Sequence, residues 1–161
     1  MTQLIFKAMP TDLARSYQSG AVDANGQIPE RDISSGSGVP CRHCLKQVPE
    51  GEPYLVLSYR PFSELQPYAE AGPIFLCANE CERHPESAEI PPMLQGKEAL
   101  IIRGYNAQNR IIYGTGKVVA ADEIPFYAKS TFENDDVKYI HIRSSTNNCY
   151  QCQLEQVPSK A

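Results

Sequence analysis

Short stretches in which apolar and polar residues alternate with a period of two dominate this chain, the signature of half-buried strands. Leu4, Phe6 and Ala8 share one face of a first strand, Leu4 to Met9, which Pro10 ends. Thr11 is placed to N-cap a short helix through its hydroxyl, with Asp12 in the favourable first turn. Leu13 and Tyr17 would share the buried face of that helix, and Gly20 would stop it. Tyr54 to Tyr59, Pro73 to Cys77, Ala99 to Tyr105, Val137 to Arg143 and Tyr150 to Val157 also read as strands. Asn106 to Asn109 reads as a hairpin turn, with Ile111 to Ala120 as the return strand, bent at Gly114 and Gly116. Asp122 to Glu133 is the best helix, because Ile124, Tyr127, Ala128 and Phe132 fall on one face and Pro125 sits in its first turn. About seven strands and two helices predict a single α+β domain over residues 1–161, with a mostly antiparallel sheet.

Between these elements lie segments without periodicity. Residues 21–38 carry Asn25-Gly26 and Ser34-Ser35-Gly36-Ser37-Gly38, and they read as one long flexible loop leading to the first cysteines. Residues 78–95, punctuated by Pro85, Pro91 and Pro92, read as a second loop. The last residues, 158–161, read as a disordered tail.

Composition narrows the class. The chain has 161 residues. A chain of that length buries roughly 70% of its unfolded surface, so it folds without disulfide staples. Lys plus Arg number 15 against 19 Asp plus Glu, a net charge of −4. No global field draws such a chain to nucleic acid or anionic lipid, and no basic run appears. Met1 to Lys7 lacks the basic start and apolar run of a signal peptide, and no stretch approaches the ~20 apolar residues of a membrane helix. The expected setting is the cytoplasm, without membrane or nucleic acid partners. Thiols stay reduced there, so six cysteines read as metal ligands, reactive groups or core residues.

Cys41-Arg42-His43-Cys44 is a C-x-x-C turn, the common half-site for a structural zinc ion held by four thiolates or imidazoles. Cys77 and Cys81, in C-x-x-x-C spacing at a strand end, are its expected partners. The strands predicted between the pairs can fold back to bring them together. His43 or His84 is an alternative ligand. Buried free thiols are the plain structural reading, and a redox disulfide at Cys41/Cys44 lacks the βαβ setting such a motif uses. Cys149 and Cys152 are three apart on a strand, where side chains alternate, so they point to opposite faces. Cys152 is expected in the core with Tyr150 and Leu154, and Cys149 at the strand entrance.

Tyr139, His141 and Arg143 alternate with Ile140 and Ile142, about 7 Å between alternate residues. Arg103 and Tyr105 follow the same alternation on another strand, and Arg60 ends a third. If these strands are neighbours, the row could hold a small anion, with Cys149 nearby. The plain reading is a solvated sheet face with ordinary cross-strand pairs. A third function class is an interaction module built on the 21–38 loop. Gly114-Thr115-Gly116 lacks the third glycine and the helix of a nucleotide loop.

Pro40-Cys41-Arg42-His43-Cys44-Leu45, Gly51-Glu52, Tyr59-Arg60-Pro61-Phe62, Tyr68, Gly72-Pro73-Ile74-Phe75, Arg103-Gly104-Tyr105, His141-Ile142-Arg143 and Asn148-Cys149-Tyr150 occur in this order. Together they resemble the bacterial proteins of domain-of-unknown-function family 1203. The resemblance implies a compact bacterial, cytoplasmic protein and no assigned activity. In the family's pattern the position of Cys77 is often His, an exchange a zinc ligand accepts. That pattern carries Asn148-Cys149-Tyr150 but not Cys152. The reading is a small bacterial cytoplasmic protein with a structural zinc site at Cys41, Cys44, Cys77 and Cys81. The alternative is an enzyme or anion-binding protein using Arg60, Arg103, Tyr139, His141, Arg143 and Cys149.

Overall fold

Two helices and eight strands, all antiparallel to their sheet neighbours, form among the residues described in this computed structural model, 1–159. The α+β class expected from the pattern is therefore met, with the strands divided between two sheets. The chain falls into two compact units: Met1–Lys7 with the residues from Pro85 onward, and the inserted stretch Ala8–His84.

The first unit is a five-stranded sheet. β1 (Thr2–Lys7), β8 (Tyr150–Pro158), β7 (Tyr139–Ser144), β5 (Leu100–Tyr105) and β6 (Lys117–Val119) lie side by side in that order. Strand alternation sends Leu100 and Ile102 of β5, Ile140 and Ile142 of β7, and Cys152 and Leu154 of β8 to one face, and all six are buried. Helix α2 (Ile124–Thr131) adds buried Ile124 and Ala128 and packs beside β1. The helix expected from Asp122 begins as a 3-10 turn over Ala121–Glu123 before Pro125 enters the α-helix proper.

The second unit is a three-stranded sheet with helix α1 (Thr11–Gln18). Its strands are β2 (Glu30–Ile33), β3 (Pro53–Tyr59) and β4 (Gly72–Cys77), in that order. Leu55, Leu57 and Tyr59 alternate inward on β3, Ile74 and Leu76 do so on β4, and Ala14 is the fully buried residue of α1.

Four expectations change. The loop at 21–38 contains β2, an edge strand paired with β3 from Glu30↔Val56 to Ile33↔Pro53. All four of its residues are exposed, so no apolar alternation marks it. Thr11 does not cap α1: the N-cap is Pro10 without a side-chain bond, and the Thr11 hydroxyl meets His43 instead. At the end of the chain, β8 runs to Pro158, opposite Thr2, and Ser159 N donates to Met1 O, so neither residue is tail. The rest of that expected tail, residues 160 and 161, lies outside the described residues.

The fourth change is the return strand, which shrinks to β6. Residues 111–116 instead fold over Gly104, where the Thr115 hydroxyl accepts from Gly104 N at 2.9 Å and donates to Ile112 O at 2.5 Å. A Cβ on Gly104 would lie 3.1 Å from Thr115 Oγ1 and 3.2 Å from its Cβ. Thr115 is held by both bonds and cannot retreat. Gly104→Ala should therefore destabilise the protein by about 1–3 kcal/mol, the usual cost of overpacking, read as a lowered denaturation midpoint.

Candidate metal centre

The first cysteine pair sits in a tight hairpin. Val48 N donates to Val39 O, Pro40 bridges Gln47, and Cys41 N donates to Lys46 O. Leu45 N closes the turn onto Cys41 O at 2.9 Å. Leu45 has a φ of 56°, in the left-handed region. That conformation costs a non-glycine residue roughly 1 kcal/mol or more. The Leu45 side chain is fully buried. Such burial stabilises by about 2 kcal/mol and offsets the strain. The reversal places Cys41 and Cys44 on the same side of the hairpin tip.

The second pair is delivered by β4. Cys41 bridges Phe75 in parallel, and Arg42 N donates to Phe75 O, so the hairpin lies against β4 just before Cys77. The chain then curls around α1. Gln18 Nε2 donates to Cys77 O and Asn79 O, while Arg15 Nη2 donates to Cys81 O and its Nε pairs with Glu80 at 3.0 Å. Two helix side chains thus hold the carbonyls of residues 77–81 and aim both thiols at the hairpin.

As a result, the sulfurs of Cys41, Cys44, Cys77 and Cys81 all lie within 4.8 Å of one another and could hold a metal ion. Cys41 Sγ and Cys81 Sγ are 3.8 Å apart. Four sulfurs at the ordinary Zn–S distance of about 2.3 Å around a tetrahedral ion would be separated by ~3.8 Å. No disulfide forms among the described cysteines. The backbone N–H groups of His43 and Cys77 point at Cys41 Sγ, at 3.4 Å and 3.3 Å respectively. Hydrogen bonds to a thiolate favour its charged form. Hydrogen bonds from Cys44, then from Cys77 and Cys81, hold the Cys41 thiol far below its usual range; the bond to Cys41 is the main reason Cys77 and Cys81 are pushed up. Without a cation, the cluster favours charge on Cys41 and Cys44 at the expense of Cys77 and Cys81.

His43, one of the two alternative ligands, takes a supporting place. It is fully buried; its Nδ1 lies 3.1 Å from Cys81 Sγ and its Nε2 2.9 Å from Thr11 Oγ1. Burial holds its pKa below the ordinary imidazole range, with the charge on Cys41 opposing. A neutral ring donates Nδ1–H to Cys81 and accepts the Thr11 hydroxyl proton at Nε2. His84 contributes its backbone, donating N–H to His43 O at 2.9 Å. Sequence reasoning assigned Thr11 to a cap, and only the packing of α1 against the hairpin reveals its second task. A cavity of about 200 Å³ beside Cys77 and Cys81 is lined by Val48, Pro49, Glu52, Pro53, Asn79 and Glu80.

The proposed anion residues lie mainly in the first unit. The sequence left open whether these strands are neighbours; they are, with Arg103 opposite His141 and Tyr105 opposite Tyr139. The Tyr105 and Tyr139 rings stack at 5.2 Å, and both approach the His141 ring, at 4.8 Å and 4.9 Å. The solvated-face reading does not hold at the centre of this row: His141 is 0% exposed and Arg143 4%. Tyr150 was expected to side with Cys152, yet it meets His141 edge-on at 4.9 Å. A bulge explains this, because the register passes from Ile142↔Cys152 directly to Arg143↔Tyr150. Cys152 is buried as expected, and Cys149 is half-buried with its thiol toward Asn147 O, a carbonyl and not a general base. Arg60 belongs to the inserted unit, where its Nε donates to Ala69 O.

The molecule is thus an α+β protein with a four-cysteine centre in an inserted unit. The chain belongs to the family described as Protein of unknown function (DUF1203), whose model matches residues 38–156. No curated protein and no solved structure matches it. No helix among the described residues is long and apolar enough to cross a membrane.

His43→Ala should weaken metal binding about 10–100-fold in a chelator competition, the usual cost of losing a partner that orients a ligand, and Thr11→Val should do so less. An unchanged affinity would show that His43 has no part in holding Cys81. A second prediction concerns His141, whose pKa is pushed down to about 3, first by burial and then by Arg143 and Arg103, with the Gln153 hydrogen bond opposing. Its unfolded form takes up a proton below about pH 6.5 and its folded form does not, so stability is full above that pH and falls towards pH 3. The loss is up to about 1.4 kcal/mol per pH unit. In urea titrations from about pH 7 to about pH 4, His141→Gln should flatten that slope.

Proposed function

We propose that this protein binds zinc at Cys41, Cys44, Cys77 and Cys81, and that the ion is structural. The observation that carries the reading is the set of four sulfurs within 4.8 Å. Four thiolates complete a tetrahedral shell, whereas catalytic zinc keeps a position open for water. All-sulfur ligation favours zinc over the hard cations, which take oxygen ligands. Reduced thiols at such a site fit a bacterial cytoplasmic setting, in line with the family resemblance.

Energetics support a folding role. Two like charges about 4 Å apart repel by about 4 kcal/mol at an effective dielectric constant of about 20. Four bare thiolates are therefore untenable, and the cation converts that repulsion into attraction. Structural zinc supplies about 10–16 kcal/mol of apparent binding free energy in small domains at neutral pH, comparable with the entire stability of an ordinary domain. The hairpin and residues 77–81 are the parts that depend on it most directly.

Anaerobically purified protein should contain one zinc per chain by elemental analysis. Chelator should lower its melting temperature, and Cys44→Ser or Cys81→Ser should abolish that dependence along with the bound metal. Metal-free protein whose four thiols titrate freely under native conditions would sink the proposal.

A further inference from the structure

The first unit contains a buried positive charge with no ion-pair partner among the described residues. Arg143 on β7 is 4% exposed. Its Nη1 donates to Asn148 O at 3.1 Å, while Nε and Nη2 are buried and have no hydrogen-bond partner among the described residues. A guanidinium cannot shed its proton to escape burial. An uncompensated buried ion is strongly unfavourable, and a single carbonyl offsets only part of that. Its neighbours along the strands bring no anion. His141, two residues back on the same face, is held neutral by burial. Arg103 adds a second positive charge: it faces His141 across β5, while Arg143 faces Ile101. The two arginines are therefore diagonal neighbours, about 7–8 Å apart. Glu155 is engaged elsewhere, taking Gln153 Nε2–H at 2.6 Å and Lys7 at 3.3 Å.

From this geometry we propose that Arg143 is the anchor of a small-oxyanion site, taking a phosphate or carboxylate group side-on at its Nε–Nη2 edge. That edge presents two parallel N–H donors, the fork that matches two oxygens of one anion. Arg103 supplies the supporting field, and Tyr150, the cross-strand partner of Arg143, sets its ring against His141. The fixed parts are closely tied. The turn that holds Arg143 Nη1 is closed by Ser144 N to Cys149 O, Asn148 N to Ser144 O, and Cys149 N to Ser144 Oγ. Asn148 adopts a φ of 57° to turn its carbonyl toward the guanidinium. The arginine is therefore positioned before any ligand arrives, which removes part of the ordering cost of binding. This site is independent of the zinc reading, because every residue in it belongs to the first unit.

The test uses the full, metal-replete chain in chloride buffer, titrated separately with inorganic phosphate and with acetate. Arginine Nε–H resonances and the melting temperature are followed, the Arg143 signal being assigned by its absence from Arg143→Lys. One of the two anions should shift that signal saturably and raise the melting temperature, and which one does so identifies the ligand class. Arg143→Lys keeps the charge but loses the fork, and should weaken binding about tenfold or more. No saturable shift with either anion, or equal binding by Arg143→Lys, overturns the proposal. Should that variant fail to fold, titration of the wild type decides alone: a saturable rise in melting temperature with a shifted buried arginine signal supports it, and silence refutes it.

Discussion

Four sulfurs crowded into one spot are a constraint before they are a site. Thiols at this separation share their protons unevenly, so Cys41 gains charge while Cys77 and Cys81 are driven the other way. Nothing in ordinary packing requires such crowding, because isolated cysteines are content as small core residues. The surrounding chain nevertheless works to enforce it. A buried leucine accepts a left-handed backbone, an arginine and a glutamine of α1 hold the opposing carbonyls, and a histidine is fixed at both ring nitrogens. These features are intelligible together when the crowded sulfurs have a common cation as their partner.

The same centre organises the inserted unit. The apolar faces of β3 and β4 form its core, but they end before the hairpin and the 77–81 segment. Those two parts carry few large apolar side chains beyond Leu45 and Val48, so hydrophobic burial alone holds them weakly. Backbone pairing between Cys41 and Phe75, and the N–H bonds to Cys41 Sγ, connect them to the sheet. Small segments with little core of their own commonly rely on metal ligation, the role proposed above for the sulfur cluster.

Much of this was legible in the chain. Chelate spacing paired Cys41/Cys44 with Cys77/Cys81, and period-two alternation put Arg103 and Tyr105 on one face of their strand and Tyr139, His141 and Arg143 on one face of theirs, while the pairing of those two strands came only with the sheet. What escaped has definite causes. β2 lies on a sheet edge with every residue exposed, so it carries no alternation to detect. The bulge that turns Tyr150 toward His141 is a property of the pairing with β7, not of β8 itself. The role of Thr11 at His43 spans 32 positions and exists only once α1 and the hairpin have met. Alternation also reports which face a side chain occupies, not how deeply it is covered, so the burial of His141 and Arg143 was beyond it.

The inserted stretch is closed upon itself at its two ends. Met9 N bonds Arg42 O, His84 N bonds His43 O, and Arg83 donates to the carbonyls of both Ala8 and Met9. Within the other unit, Phe6 N bonds Ser87 O, so the chain segments that flank the insertion are themselves joined. Among the described residues, no strand pairing of the five-stranded sheet uses a residue from within the stretch. Topologically, then, Ala8–His84 is a cassette: a short linker in its place would leave the connectivity of that sheet intact.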